Sequence, residues 1–237
     1  MRRLLICALL AAAPAFAETP SLPNSTFLVE EAWRADSMVM QHAVAYGSDE
    51  WSYTWTHEWA SAERPHRVAW SLPLTPGPVA GDLSLDYVYQ IKGEENDWLA
   101  IAPRVSAMVP FSGSSPGLQL ALPVTISHTA RFATHWNIRS TWTRGARSSE
   151  LAVATAAVAA IGADTVVVFE SELLLSPREP RALTVSPGIR WNARLLGRPG
   201  VVPGLAFPVT FSEGASSAGV AFHVMFEHSL RAGRDGR

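Results

Sequence analysis

The stretch Gly81 to His128, GDLSLDYVYQIKGEENDWLAIAPRVSAMVPFSGSSPGLQLALPVTISH, admits few folds. Leu83, Leu85, Tyr87, Tyr89 and Ile91 share one parity, and Asp82, Ser84, Asp86, Val88 and Gln90 the other. That is the period of an extended strand with one apolar and one wetter face. The pattern recurs as Leu99, Ile101, Val105, Ala107 and Val109 against Ala100, Arg104, Ser106 and Met108. It recurs again as Leu118, Leu120, Leu122, Val124 and Ile126 against Gln119, Thr125 and Ser127. Soluble sandwiches alternate in the same way, so length has to discriminate. Soluble strands run to about 5 to 6 residues, whereas a tilted strand crossing a bilayer needs about 9 to 11. These runs are of the longer kind, and in a barrel their polar parity faces the lumen.

Along the rest of the chain, strands are expected at 38–46, 51–59, 66–73, 81–91, 98–109, 117–128, 131–143, 149–161, 164–175, 182–192, 201–211 and 218–229. The fold class is therefore all-β, an antiparallel up-and-down transmembrane β-barrel of about 12 strands, an even number that leaves both termini on one side. A barrel of about 10 strands is the second choice, since the first two strands and the proline-containing tenth and eleventh are weakest. Turn chemistry separates the runs at Gly47-Ser48-Asp49, Pro76-Gly77-Pro78, Gly93 to Asp97, Gly113 to Gly117, Gly162-Ala163-Asp164 and Gly214 to Ser217. None is long enough for the crossover a parallel sheet needs. The alanine-rich run Leu151 to Gly162 also suits a helix, but it is too short to span a membrane as one, and a strand is preferred.

Residues 1–17 carry Arg2 and Arg3, an apolar run Leu4 to Ala13 and the ending Ala15-Phe16-Ala17, the layout of a secretory signal cleaved after Ala17. The only cysteine, Cys7, lies within it, so the expected mature chain has neither thiol nor disulfide, as suits an oxidising envelope. Residues 18–37 form a leader that in a barrel would enter the periplasmic mouth or the lumen, 38–229 the barrel, and 230–237 a tail. The tail is a departure, because many bacterial barrels end on an aromatic residue and here the chain continues past Phe226. The formal charge of −2 falls to about −4 without the signal, and no basic stripe suggests nucleic acid. Nine tryptophans include Trp51, Trp59, Trp98, Trp142 and Trp191 near expected strand ends, where membrane barrels carry interfacial girdles; core or lectin-like aromatics are the other reading.

No catalytic or metal signature is found. The seven histidines show no HExxH or similar spacing, and GxSxG, Walker and dinucleotide motifs are missing. Ser127-His128 and His228-Ser229 are adjacent pairs that point to opposite faces of a strand, unlike the His-x-Ser of barrel phospholipases. No enzyme activity, cofactor or metal is expected. The polar parity yields lumen candidates instead: Glu58, Asp82, Asp86, Arg104, Arg131, His135, Arg139, Glu170, Glu172 and Arg190. Their mixed signs fit internal ion pairs as well as solute selection.

Several segments carry a family resemblance: NSTFLVEEAW at Asn24 to Trp33, VMQH at Val39 to His42, YTWTHEW at Tyr53 to Trp59, GDLSLDYVYQ at Gly81 to Gln90, and APRVSAMVPFSG at Ala102 to Gly113. Here the chain resembles the bacterial outer-membrane family named for the MetA pathway of phenol degradation, strongest before residue 145. The resemblance implies a barrel-type transporter in the outer membrane of a Gram-negative bacterium and transfers no site residues. The expectation is thus a transporter or channel for small, apolar or aromatic molecules, with outer-membrane lipid and the barrel-insertion machinery as partners. Two alternatives stay open: a filled structural barrel, and a secreted soluble β-domain that binds a ligand.

Overall fold

The computed structural model describes Ala32 and residues 39–229, apart from short stretches between strands. Its segments are β1 (Val39–Gly47), β2 (Glu50–Ser61), β3 (Arg64–Leu74), β4 (Leu83–Tyr89), β5 (Leu99–Ile101), β6 (Arg104–Val109), β7 (Gly117–Thr129) and β8 (Phe132–Thr143). They continue with β9 (Glu150–Ala160), β10 (Thr165–Leu175), β11 (Ala182–Trp191), β12 (Ala193–Leu195), β13 (Arg198–Ala206), β14 (Val209–Ser212), β15 (Ala215–Ala218) and β16 (Ala221–Ser229). The signal, the leader other than Ala32, and the tail lie outside the described residues, as does the side chain of Trp51.

Sixteen segments amount to twelve staves, because four pairs join end to end, all in one register except for a shift within β12 between Ala193 and Leu195. β5 and β6 run in step against β7, from Leu99↔Ile126 to Arg104↔Ala121. In the same way β12 continues β11, β14 continues β13, and β16 continues β15. Prolines explain two of the breaks: Pro103 with Pro123, and Pro187 with Pro208, withhold N–H donors from the ladder at those points. The carbonyls there are still used, by Ala102 N–H to Pro123 at 3.2 Å, Phe207 N–H to Pro187 at 2.9 Å and Gly219 N–H to Pro208 at 2.9 Å.

Every pairing is antiparallel between chain neighbours, and the order returns to its start: β11 pairs β13, β13 pairs β16, and β16 pairs β1. The ring is an up-and-down barrel. Val39 opposes Ser229, so both ends of the barrel chain lie at one rim. Connections at that rim are mostly short, such as Thr129 to Phe132, while the opposite rim carries longer ones such as Leu74 to Leu83.

The two faces differ in chemistry as the alternation requires. From β4 to β11 the outward parity holds no Asp, Glu, Lys or Arg, and presents exposed Leu85, Tyr87, Val105, Leu120, Ile138 and Phe169. Exposed aromatics mark both rims, Trp59, Tyr89, Trp98, Phe132 and Trp191 at the terminal end and Phe111, Trp142 and Phe211 at the other. Other outward aromatics touch across staves: Trp55 and Trp70 lie 4.9 Å apart between ring centres, and His66 Nδ1 is 2.7 Å from the Tyr87 hydroxyl.

Two local expectations are corrected. The loop expected at Gly214 to Ser217 is a tight turn at Glu213-Gly214, where Gly214 takes φ 81° and so frees Ser216 and Ser217 to pair with Phe211 and Thr210. Arg131, expected at the head of a strand, sits exposed in the turn Ala130-Arg131, its N–H donated to Thr129 Oγ1 at 3.2 Å.

Candidate functional site: the barrel interior

The inward parity collects nearly all the Asp, Glu and Arg groups of the described wall. Asp86 is buried at 9% exposure on β4 and accepts from Ser84 Oγ at 2.9 Å. Glu58 on β2 is half-buried and meets Arg67 of β3 at 3.5 Å. Arg104 on β6 donates to Gln119 Oε1 at 2.6 Å, and Gln119 donates onward to Thr141 Oγ1 at 3.0 Å, a relay across three staves. Asp82 precedes β4, half-buried near the rim remote from the termini.

Beyond β7 the polar groups bridge over an intervening stave. Arg139 of β8 forms an ion pair with Glu172 of β10, and between them β9 offers only Ala152 and Ala154, which oppose Arg139 and Glu172 respectively. Arg190 of β11 donates through Nη2 to His223 Nδ1 of β16 at 2.8 Å, with Gly204 of β13 opposing both. Glu170 and Asn137 are buried at 0% and 1%. The alanine-rich β9 is thus a floor: Ala154, Ala156 and Val158 pack with Val166 and Val168 of β10 and leave lumen volume to longer side chains.

One level is buried from β7 to β11. Thr125, His135, Ala156, Glu170 and Ser186 oppose one another directly across β7 to β11, and none is more than 3% exposed. Thr125 Oγ1 and His135 Nδ1 lie 2.8 Å apart, and Thr125 Oγ1 also accepts the N–H of Ala32 at 3.0 Å. The Ala32 carbonyl accepts from Gln90 Nε2 at 2.8 Å, and the residue packs fully buried with Val88, Ala100 and Ala102. Residue 32 therefore packs against the inner face of the wall.

Of the sequence candidates, the structure brings Arg139 and Glu172 together, and places Glu58, Asp86, Arg104, His135, Glu170 and Arg190 on the inner wall, Asp82 by the rim and Arg131 in a turn. Arg67, Ser186 and His223 were not among the candidates, although each shares parity with a recognised inward residue, whereas Gln119, Thr125 and Asn137 stand on the polar parity already legible in the sequence. Among the described residues no group of three His, Cys, Asp or Glu could hold a metal ion.

No family model matches the chain, and no curated protein does. Among solved structures, a KdgM porin described in complex with disordered oligogalacturonate matches at a TM-score of 0.62 and 11% identity, over 81% of this chain and 99% of that one. A NanC porin matches at a TM-score of 0.61 and 12% identity, over 80% of this chain and 99% of that one. At such identities the likeness is one of fold, and the chain has the all-β barrel architecture of these porins.

Proposed function

We propose that the chain is an outer-membrane barrel that conducts small solutes through its lumen. The observation that carries this reading is the segregation of charge: an uncharged apolar exterior from β4 to β11 surrounds a wall of paired Arg, Glu, Asp and His groups. In water such an exterior would be an unusually large apolar surface; against lipid it is the expected one. The porin neighbours support a channel, and the signal-like first 17 residues support export. Lipid and the outer-membrane insertion machinery are the partners this reading requires.

Solute class follows from the interior. A channel for a polyanion such as the oligogalacturonate of the KdgM complex gains from unopposed cations, whereas here two of the inward arginines face carboxylates, Arg67 with Glu58 and Arg139 with Glu172. The sequence resemblance to the phenol-degradation family favours a small molecule with apolar or aromatic surface. Twelve staves also lie between filled barrels of about 8 strands and open porins of about 16 to 18. The reading is tested by reconstituting purified protein into vesicles and comparing uptake of phenol-like, neutral sugar and acidic sugar solutes. Uptake led by aromatics is expected; acidic sugar ahead of the rest would reject the solute class, and no uptake at all would reject the channel.

The complete burial of the Thr125 to Ser186 level favours a second reading, a filled structural barrel. Conductance in a planar bilayer separates the two.

A further inference from the structure

On the inner wall, side chains meet over a stave whose own inward residue is small. Arg139 reaches Glu172 over Ala152 and Ala154, and Arg190 reaches His223 over Gly204. His135 and Glu170 stand in the same relation, because Ala156 of β9 opposes both. They are 1% and 0% exposed, so the charge of each is set by protein neighbours and not by bulk water. Thr125 Oγ1 lies 2.8 Å from His135 Nδ1 and already accepts the Ala32 N–H, so the threonine proton goes to Nδ1 and the neutral ring carries its own proton on Nε2. That is the donor a carboxylate on β10 needs. Asn137 stands one diagonal step from Glu170, as Arg139 does from Glu172, yet neither polar atom of its amide has a partner among the described residues. Asn137 therefore does not take the Glu170 carboxylate.

We infer that His135 and Glu170 form an acid–base couple over Ala156, and that the charge of this couple makes the ion selectivity of the lumen depend on pH. The second half rests on the channel reading. With a neutral imidazole beside a carboxylate the couple is a net anion. Uptake of a proton at Nδ1 gives imidazolium beside carboxylate, with no net charge, and Thr125 Oγ1 turns from donor to acceptor, as its lone pairs allow. Level with the couple, β7, β9 and β11 present Thr125, Ala156 and Ser186, none of them charged. The flanking charged groups already hold partners: Arg139 with Glu172 toward the remote rim, Arg190 with His223 toward the terminal rim, and Arg104 with Gln119 beyond β7. The proton taken up by the couple is thus a change of charge that these neighbours do not absorb.

Two measurements test the two halves. Pairing is read by urea midpoints of the detergent-folded barrel at neutral pH for His135→Phe, Glu170→Met and the double variant. Each single variant leaves a buried polar group without its partner, so the double variant should lose less than the sum of the single losses. Should a single variant fail to assemble, recovery of assembly in the double variant reads the same coupling, and failure to recover counts as additivity. Additive losses would overturn the couple and leave the channel standing. Selectivity is read by reversal potential under a salt gradient at about pH 8 and about pH 5.5, a range across which imidazole changes charge. The unmodified barrel should move away from cation preference on acidification, His135→Gln should lose that shift, and His223→Gln should keep it. Glu170→Gln should already show at the higher pH the value that the unmodified barrel reaches in acid. Coupled losses in urea with a reversal potential that ignores pH, or a shift that survives in His135→Gln, would overturn the pH control. No conductance from the unmodified barrel would overturn the channel and the control together, with the couple still judged by the urea series.

Discussion

Arg190 and His223 meet at 2.8 Å although they stand two staves apart, because the residue opposing both is Gly204. A side chain at that position would project into the line between them. Arg190 is 2% exposed, so loss of a hydrogen bond there is not repaired by bulk water. Gly204→Val should lower the unfolding free energy by about 1 to 3 kcal/mol, whereas Pro203→Val next to it, on the opposite parity, should cost less. Urea titration of the detergent-folded barrel, read by heat-modifiable gel mobility, measures both.

The same logic applies to β9. Ala154 opposes both Asn137 and Glu172, and a larger inward residue would displace the Arg139–Glu172 pair. Ala154→Leu should therefore destabilise by about 1 to 3 kcal/mol through overpacking. Ala157→Leu, outward on the same strand, should be nearly neutral and adds apolar surface where the exterior is already apolar. Equal effects at 154 and 157, measured in the same urea assay, would contradict the floor role of the β9 alanines.

Strand positions were legible because period-two alternation needs only the residue's own polarity, and Leu85, Leu120 and Phe169 declare their face unaided. Bridging pairs were not. Arg190 and His223 are 33 residues apart, and their contact depends on register through a third stave and on the missing side chain of Gly204. Parity alone could have added Arg67 and His223 to the lumen set, since Ala69 and Met225 flank them on the same face. Arg131 shows the limit of parity, which continues across a strand end that only the turn geometry fixes. Ala32 had no signal of its own, because its partners are side chains on distant staves.

Leu85 and Ser84 test the exterior directly. Leu85 is 46% exposed on the outward face of β4, while Ser84 faces in and donates to Asp86. Leu85→Arg should impair assembly by about 2 to 4 kcal/mol if that face meets the bilayer midplane. Ser84→Arg places a cation beside Asp86 and should be tolerated. Yield of the folded, heat-modifiable form in outer-membrane fractions reads the difference, and equal tolerance would remove the membrane from the interpretation.

Charge selectivity depends on which cations reach the conduction path. Arg104 is on the inner wall with Gln119 as its acceptor, and Arg139 is inward with Glu172, whereas Arg131 is exposed in a turn at the terminal rim. A fixed charge inside a narrow lumen acts through little screening, while one in a solvated turn is screened within about 10 Å at 0.1 M salt. Arg104→Gln keeps a donor for Gln119 and removes one positive charge, so the reversal potential under a salt gradient should move toward cation preference. Glu172→Gln keeps an acceptor for Arg139 and should move it toward anions by the same reasoning. Arg131→Gln should leave it unchanged. A shift for Arg131→Gln equal to that of Arg104→Gln would place the selectivity-determining field at the rim and not at the wall, and the inner network would then serve folding alone.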